Sequence, residues 1–300
     1  MIQARNIKAH LAIFTANLIY AGNYSIAKIV MPQYVAPYGL IVVRVVLASA
    51  FFWLVDSFFK TEKIQSRQDY IRLAVCAIFG IALNQLTFFK GLSLTNPINP
   101  AIMMTTTPIL VLLISLFYLK EKVTTSKIIG IILGMGGAIG LLLFRDSFSM
   151  GKDTIVGDLL VMVNASSYGL YLVLAKPLFY KYKPLTIIKW VFTFGILFVV
   201  PVGGAELIET DWTLLTDEAW WSLGYFVILT TFFAYLFNSF GLKAVSPTVV
   251  SFYIYLQPIL ASIIAIMLGK DQLTITKISL ALLIFVGVYL VSKPTKKITL

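Results

Sequence analysis

The sequence contains a single cysteine and a single histidine among its 300 residues. Cys76 lies within an apolar run and has no second cysteine to pair with, which excludes an internal disulfide and a cysteine-based metal site. His10 alone cannot supply the clustered histidines of a zinc enzyme. The sequence also has no GxSxG nucleophile motif. We therefore expect no metal, no cofactor and no enzymatic activity.

Charged residues are scarce as well, at 12% of the sequence, about half the fraction of a soluble domain. Hydrophobic residues reach 59% and the mean hydropathy is +0.90, which indicates an integral membrane protein. The net charge of +11 comes from residues between the apolar runs and forms no basic stripe with interleaved aromatics. The expected partners are therefore the lipid bilayer and a small-molecule substrate, and not nucleic acid.

Acidic residues are absent from the middle of every apolar run. All of them lie at the ends of the runs or in loops: Asp56, Glu62, Asp69, Glu121, Asp146, Asp153, Asp158, Glu206, Glu209, Asp211, Asp217, Glu218 and Asp271. Acids within the membrane mark proton relays and ion pathways. Their absence counts against a cation-drug pump or a proton antiporter, and against a hydrolase with paired acids.

The most informative pattern that is present is an internal repeat. Residues 91–137 recur without a gap 150 positions later, as residues 241–287. The matches include residues with particular backbone or charge roles, so that Gly91, Pro97, Pro108, Lys120 and Gly137 fall on Gly241, Pro247, Pro258, Lys270 and Gly287. Tyr20 and Lys28 fall on Tyr168 and Lys176 at a shift of 148. We interpret this as a duplication, with repeats at 1–150 and 151–300.

Ten segments are apolar over about the 20 residues that a membrane-spanning helix needs. They are residues 9–29, 38–58, 71–90, 98–119, 127–144, 157–178, 185–203, 219–240, 247–268 and 275–292. If the N-terminus is inside, seventeen of the 24 Lys and Arg residues lie on the cytoplasmic side, as the positive-inside rule requires. Both termini are therefore expected in the cytoplasm.

Five spans per repeat is an odd number, so the second repeat must enter the membrane from the opposite side. The predicted fold is an all-α integral membrane protein of ten transmembrane helices, arranged as two inverted five-helix repeats. Inverted repeats of this kind are typical of transporters, in which one half moves against the other around a site near the membrane midplane.

Pro108 and Pro258 are matched prolines that lie well inside the fourth and ninth spans. Each removes a helical hydrogen bond and crowds the carbonyl four residues earlier, so we expect both helices to bend there. One interpretation is a kink that only shapes packing. Because the kink recurs beside polar residues in both repeats, we favour a hinge or a cavity wall.

Arg44 is the exception among the charges, since it lies seven residues into the second span. An arginine at a helix centre costs about 2.5 to 3.5 kcal/mol on insertion scales. Its side chain either reaches the outer head groups or acts in a cavity, where it attracts a substrate carboxylate or holds a gate.

Other polarity within the membrane is confined mainly to the first, third, fourth, sixth, eighth and ninth spans. A single Asn or Gln in a membrane helix usually forms a hydrogen bond to another helix. As a set, these residues indicate a wet central cavity with aromatic walls. The candidate substrate-binding residues are Asn17, Tyr20, Asn84, Gln85, Phe88, Met103, Thr106, Asn164, Tyr168, Tyr171, Asn238, Tyr253 and Gln257.

The fifth span is rich in glycine, with GxxxG spacing at Gly130 to Gly134 and at Gly136 to Gly140. Small residues allow two membrane helices to approach closely. We expect the protein to be a monomer and this face to pack against a helix of its own repeat. A dimer contact through the fifth span is the alternative.

Residues 107–137 (TPILVLLISLFYLKEKVTTSKIIGIILGMGG) and 257–287 (QPILASIIAIMLGKDQLTITKISLALLIFVG) resemble EamA-type members of the drug/metabolite transporter superfamily. Both carry Pro-Ile directly after their first residue, pass through an acidic turn at Glu121 or Asp271, and end in glycine. The second-span pattern from Pro37 to Arg44 is also similar, although Lys120 and Lys270 replace the usual glycine before the acid.

The resemblance implies transport of small organic metabolites, frequently amino acid efflux, through a cavity formed by the six polar spans. Aromatic-amino-acid exporters of this family carry aromatic or histidine side chains at the third-span positions of Asn84, Gln85 and Phe88. Amides replace part of that set in this sequence.

We therefore predict a bacterial inner-membrane transporter that works by alternating access on an uncharged or zwitterionic metabolite. An amino acid is the leading substrate, moved by efflux or facilitated exchange without obligatory proton coupling. A nucleotide sugar or nucleoside-like metabolite is the alternative, and it requires more cationic groups than Arg44 alone. From another class, an intramembrane enzyme lacks a set of nucleophile, base and metal, and a non-transporting scaffold needs no polar cavity.

Overall fold

The structure is a computed structural model that describes residues 2–95, 98–143, 152–267 and 274–292. Pro97, Asp146, Lys270 and Asp271 lie outside the described residues. Ten helices follow in chain order, some of them interrupted: α1 Ile2–Ala21 and Asn23–Val30, α2 Pro37–Phe59, α3 Arg67–Leu94, α4 Ile98–Met104 and Thr107–Tyr118, α5 Thr125–Leu143, α6 Lys152–Lys181, α7 Pro184–Glu209, α8 Asp217–Ala244, α9 Pro247–Phe252 with Leu256–Met267, and α10 Ile275–Ser292.

The predicted all-α membrane fold is confirmed. In the described part of the chain, seven helices are long and apolar enough to cross a membrane, and three shorter apolar helices complete the set of ten. Several helices extend beyond their predicted apolar core, since α7 was predicted to end at residue 203 and continues to Glu209. Hydrophobicity marks only the part of a helix that lies in lipid, and the helix itself continues to its cap.

The helix starts follow the expected local chemistry. Pro37, Pro184 and Pro247 each occupy the first turn of a helix, where a missing N–H removes no helical hydrogen bond. Ser66 and Thr216 are N-caps, and their hydroxyls accept from the backbone N–H groups of Asp69 and Ala219. Ser66 and Thr216 are 150 residues apart, so the cap is repeated along with the helix.

The helix pairings reveal a pseudo-two-fold arrangement. Helix α1 packs on α8 and α9, whereas α6 packs on α3 and α4; in addition α2 packs on α7, α4 on α9 and α5 on α10. Exchanging each helix of the first repeat with its counterpart five helices later maps these pairs onto one another or onto themselves. The main contacts therefore join the two repeats, which are inverted relative to each other.

The α5–α10 pair corrects one expectation. We expected the glycine face of the fifth span to pack within its own repeat, but Gly130 and Gly137 lie against α10 of the other repeat. A Cβ on Gly130 would lie 2.9 Å from the carbonyl oxygen of Gly287. One on Gly137 would lie 2.7 Å from the carbonyl oxygen of Leu280. Sequence spacing identified the close-packing face, but it could not identify the helix that covers it.

The N-termini of α2 and α7 are each capped by a glutamate of the other repeat. The Glu206 carboxylate, near the end of α7, accepts from the backbone N–H groups of Tyr38 at 2.7 Å and Gly39 at 2.9 Å. At the opposite end of the bundle, the Glu62 carboxylate accepts from the backbone N–H of Lys183 just before α7. A negative charge at a helix N-terminus satisfies exposed N–H groups and the helix dipole, so each repeat stabilises a helix of the other.

The adjacent glycines of α5 provide a matched test of this packing. Gly137→Ala should lower stability by about 1 to 3 kcal/mol, because the added Cβ overlaps α10. Gly136 has no atom within 4 Å of an added Cβ, so Gly136→Ala should be neutral or stabilising by up to about 1 kcal/mol. Thermal unfolding of the detergent-purified variants measures both. Equal melting temperatures for the two variants would contradict the α5–α10 packing.

A candidate solute cavity between the repeats

The candidate site is a cavity of about 80 Å³ at the centre of the bundle, with room for on the order of five waters. Helices α1, α2, α3, α4, α6, α8 and α9 contribute to its wall. Its lining residues are Asn17, Tyr20, Asn23, Arg44, Asn84, Gln85, Phe88, Phe89, Met104, Asn164, Tyr168, Thr230, Tyr235, Asn238, Val250, Ile254 and Gln257. Both repeats therefore build the site, and among the described residues Arg44 is the only charged one in its lining.

Two π-helical segments shape the walls of the cavity. They are Ile78–Ala82 in α3 and Tyr225–Phe233 in α8, which overlap when shifted by the 150-residue repeat period. Wider turns of this kind leave backbone carbonyls available to side chains. The carbonyl of Phe79 accepts from the Ser167 hydroxyl at 2.6 Å, and that of Phe226 accepts from the Thr231 hydroxyl at 2.5 Å.

Helices α4 and α9 are also irregular beside the cavity. Helix α4 stops at Met104 and resumes at Thr107, one residue before Pro108. In α9 the residues Tyr253–Tyr255 form a 3-10 turn, shortly before Pro258. The matched prolines therefore lie directly after matched irregularities in the two repeats.

Gln85 and Tyr235 are repeat counterparts, 150 residues apart, and they meet directly. The Gln85 amide nitrogen donates to the Tyr235 hydroxyl at 3.1 Å, and that hydroxyl donates to the Gly80 carbonyl at 3.4 Å. Because the only hydroxyl proton is directed at Gly80, the hydroxyl oxygen is free to accept from Gln85. This contact lies where the pseudo-two-fold axis relates α3 to α8.

Two further amide pairs fix cavity side chains. Asn164 donates to the backbone carbonyl of Asn84 at 2.8 Å, and Asn84 donates weakly in return at 3.5 Å. The Gln257 amide nitrogen donates to the Asn17 side-chain oxygen at 2.9 Å, while the Asn17 amide donates to the Ile13 carbonyl. The Asn164–Asn84 and Gln257–Asn17 bonds join different helices, as expected for single amides in membrane helices.

A tyrosine cluster separates this cavity from a second, smaller one of about 10 Å³. The Asn238 amide is 3.5 Å from the hydroxyls of both Tyr20 and Tyr168, which are counterparts in the two repeats. These three residues and Tyr235 line both cavities. Tyr171 lines only the smaller one.

Arg44 does not reach the head groups, because its side chain is buried at 2% exposure and lines the cavity. Its Nε donates to the Thr231 hydroxyl at 2.9 Å. The guanidinium carbon lies 4.4 Å from the Phe89 ring centroid and 5.3 Å from that of Phe226. Both rings present their negative faces to the cation at distances typical of a cation–π interaction.

Several buried polar atoms of the lining have no hydrogen-bond partner. They are Asn23 Oδ1, Arg44 Nη1, Gln85 Oε1, Asn164 Oδ1, Thr230 Oγ1 and Asn238 Oδ1. Buried polar atoms are usually paired. Six such atoms belong to residues that line this one cavity, which makes it the most polar part of the described bundle interior.

Nine of the thirteen candidate substrate residues line the cavity: Asn17, Tyr20, Asn84, Gln85, Phe88, Asn164, Tyr168, Asn238 and Gln257. Met103, Thr106, Tyr171 and Tyr253 do not. Thr106 instead donates to the Met103 carbonyl at 2.7 Å. The hydroxyl of Tyr253 is 2.7 Å from Nδ1 of His10.

Sequence reasoning missed Asn23, Phe89, Met104, Thr230, Tyr235, Val250 and Ile254 in the lining. Two signals could have identified some of them. Tyr235 is the repeat counterpart of Gln85, and Ile254 and Val250 lie three and seven positions before Gln257, on the same helical face.

One end of the bundle is joined by ion pairs between the repeats, and we call it the Lys181 end. Lys181 binds Asp69 at 2.9 Å, and the Tyr182 hydroxyl donates to the same carboxylate at 2.8 Å. Lys189 binds Asp56 at 2.5 Å. At the repeat offsets of these helices, the counterparts of Asp69, Lys181, Asp56 and Lys189 are the uncharged Ala219, Gln33, Gly203 and Val42.

The profile of the EamA-like transporter family matches residues 7–143 and again residues 155–293. An uncharacterized transporter of Archaeoglobus fulgidus is 28% identical over 263 residues, covering 87% of this chain and 89% of that protein. The uncharacterized transporter YyaM of Bacillus subtilis is 22% identical over 287 residues, covering 95% and 93%. A solved crystal structure is similar, with a TM-score of 0.76 at 17% sequence identity. The match covers 95% of this chain and 96% of the other, and at this identity it supports the fold alone.

The Gln85–Tyr235 bond can be measured with a double-mutant cycle. Tyr235→Phe and Gln85→Leu should each destabilise the protein by about 1 kcal/mol, because each leaves a buried polar group without its partner. The double variant should lose less than the sum, with a coupling of about 1 kcal/mol. Unfolding in mixed detergent micelles gives the three free energies.

The control cycle combines Gln85→Leu with Tyr180→Phe. Tyr180 is 75% exposed, so the changes in unfolding free energy caused by Gln85→Leu and Tyr180→Phe should add. A coupling of zero between Gln85 and Tyr235 would show that the hydrogen bond does not join the repeats.

Proposed function

This chain belongs to the EamA-like transporter family, and we propose that it carries a small zwitterionic or uncharged metabolite, with an amino acid as the leading substrate. As a member of that family it is a multi-pass membrane transporter. We further propose that it acts in the bacterial inner membrane, with both termini in the cytoplasm, by efflux or facilitated exchange.

One observation carries the substrate proposal: the cavity combines several neutral amide and hydroxyl groups with one guanidinium and no carboxylate. Amide and hydroxyl oxygens accept hydrogen bonds from an ammonium group, and a guanidinium donates to an anion. A small zwitterion, whose ammonium and anionic groups both find partners, therefore suits this lining better than an organic cation or a polyanion.

The same chemistry argues against the alternatives. A nucleotide sugar carries a diphosphate, and the single cation in the lining, Arg44, provides little to neutralise it. A tightly packed scaffold has no use for a cavity of about 80 Å³ with unpaired polar atoms in its wall. No observation favours an intramembrane enzyme.

Alternating access follows from the same arrangement. In the inverted-repeat mechanism one half rocks against the other, and a midplane site is opened to each side in turn. The ion pairs Asp69–Lys181 and Asp56–Lys189 join the halves at one end, so opening that end must separate them. The cavity lies between the same two halves.

We expect exchange without obligatory proton coupling, because no acid lines the cavity. Proteoliposomes loaded with unlabelled amino acids should accumulate a labelled amino acid, and a protonophore should leave that accumulation unchanged. Labelled nucleotide sugars and organic cations should not accumulate. Uptake that disappears when the pH gradient collapses, but persists without an internal amino acid, would contradict this mechanism.

Substitutions in the cavity should weaken solute recognition. Gln85→Ala and Tyr168→Ala should each raise the apparent KM about tenfold, as expected for the loss of one hydrogen-bonding contact. Tyr180→Ala is the control, because Tyr180 lies on the same helix as Tyr168 but is exposed on the outside of the bundle, away from the cavity. If neither cavity variant changes the apparent KM, the proposed solute site is in the wrong place.

A further inference from the structure

The Arg44 guanidinium is fixed by contacts on several sides. Its Nε donates to the Thr231 hydroxyl at 2.9 Å. That hydroxyl gives its own proton to the Phe226 carbonyl at 2.5 Å, so its oxygen is left to accept from the arginine. Thr231 is 0% exposed, and the rings of Phe89 and Phe226 lie within 5.3 Å of the guanidinium carbon. An arginine held in this way presents its guanidinium in one fixed orientation.

The fixed guanidinium nevertheless has no anionic partner among the residues that the structure describes. All four ion pairs between described residues use lysines, and Arg44 Nη1 is buried without a hydrogen bond. A buried charge without a counter-charge is costly, and neighbouring aromatic rings offset only part of that cost. An anionic group of a solute is therefore the partner that this guanidinium suits.

We propose that Arg44 forms a carboxylate subsite in the cavity and that Thr231 is the positioning residue that orients it. The subsite rests on the proposed function, because it states which group of the solute is recognised and by which side chain. The solute must then carry a carboxylate that accepts from the Arg44 guanidinium. An amide of the same shape leaves the guanidinium without a charged partner and binds more weakly.

The π-helical segment explains why Thr231 can perform this task. In a regular helix the Phe226 carbonyl would bond to the backbone N–H four residues later. Within Tyr225–Phe233 the wider turn brings the Thr231 hydroxyl, five residues on, to this carbonyl. The π-helical turn thus fixes the Thr231 hydroxyl in the orientation in which it accepts from Arg44 on α2.

A purely structural Arg44 predicts a different outcome. In that case Thr231 and the two rings satisfy the arginine, and substitutions change stability without changing the preference between solutes. Selectivity for a carboxylate over its amide therefore separates the two roles, since loss of stability alone does not alter that ratio.

The test measures thermal stabilisation of the full-length protein in detergent. The probes are sodium acetate and sodium propionate, compared with acetamide and propionamide in buffers balanced with sodium chloride. The wild-type protein should bind each carboxylate about tenfold more tightly than the matching amide, as expected for one charge-assisted hydrogen bond. Equal stabilisation by acid and amide overturns the subsite.

The variants assign the preference to particular atoms. Arg44→Gln should abolish it, and Thr231→Val should reduce it at least about threefold, whereas Thr231→Ser, which keeps the hydroxyl, should restore it. If Arg44→Gln does not fold, the comparison of Thr231→Val with Thr231→Ser still shows whether the carboxylate preference depends on the orientation of Arg44. A preference that is unchanged in Thr231→Val contradicts its positioning role.

Thr193→Val is the matched control. The Thr193 hydroxyl also donates to a helix carbonyl, that of Lys189, and accepts from a side chain, Trp53 Nε1, but Thr193 lies outside the cavity. Its variant should keep the wild-type ratio.

Amino acid counterflow in proteoliposomes distinguishes this subsite from the proposed function. Carboxylate preference without amino acid counterflow rejects the amino acid and retains the subsite. Counterflow without carboxylate preference rejects the subsite alone.

Discussion

Every polar group inside a bilayer must find its partner within the protein, because lipid offers none. In this structure many of those partners lie in the other repeat. Gln85 bonds to Tyr235, Gln257 to Asn17 and Arg44 to Thr231, and each bond crosses from one repeat to the other. Neither half alone satisfies its own polar residues. These hydrogen bonds both join the halves and hold side chains that line the cavity, so the site is complete only when the two halves pack together.

The fold was largely predictable from the sequence. Apolar length sets the spans, and the minority residues Gly91, Pro108 and their counterparts establish the repeat. An odd number of spans per repeat then requires inversion. What could not be predicted was which helix covers a given face. Glycine spacing marks the close-packing side of α5, but the partner is α10 of the other repeat because inversion brings those two helices together.

The site was partly predictable for a similar reason. Polarity within a span identifies the helices around the cavity but not the direction in which each side chain points. Asn84 and Gln257 face the cavity, whereas Tyr253 turns towards His10. Irregular turns shift the helical register, and those in α3, α4, α8 and α9 occur beside the site. A regular helix of 3.6 residues per turn therefore predicts the facing residues least well around the candidate site.

In the proposed alternating-access cycle, the Lys181 end has a consequence for the resting form of the protein. Two identical inverted halves would make the inward-open and outward-open forms equal in energy, and each would be populated half of the time. The charged pairs of Asp69 and Asp56 have uncharged counterparts at the other end, so the balance is tilted. Each difference of about 1.4 kcal/mol changes the ratio of the two forms tenfold. In that proposed cycle the resting form is selected at a distance from the cavity, and substitutions at a helix end change the occupancy of each form without changing the lining of the candidate site.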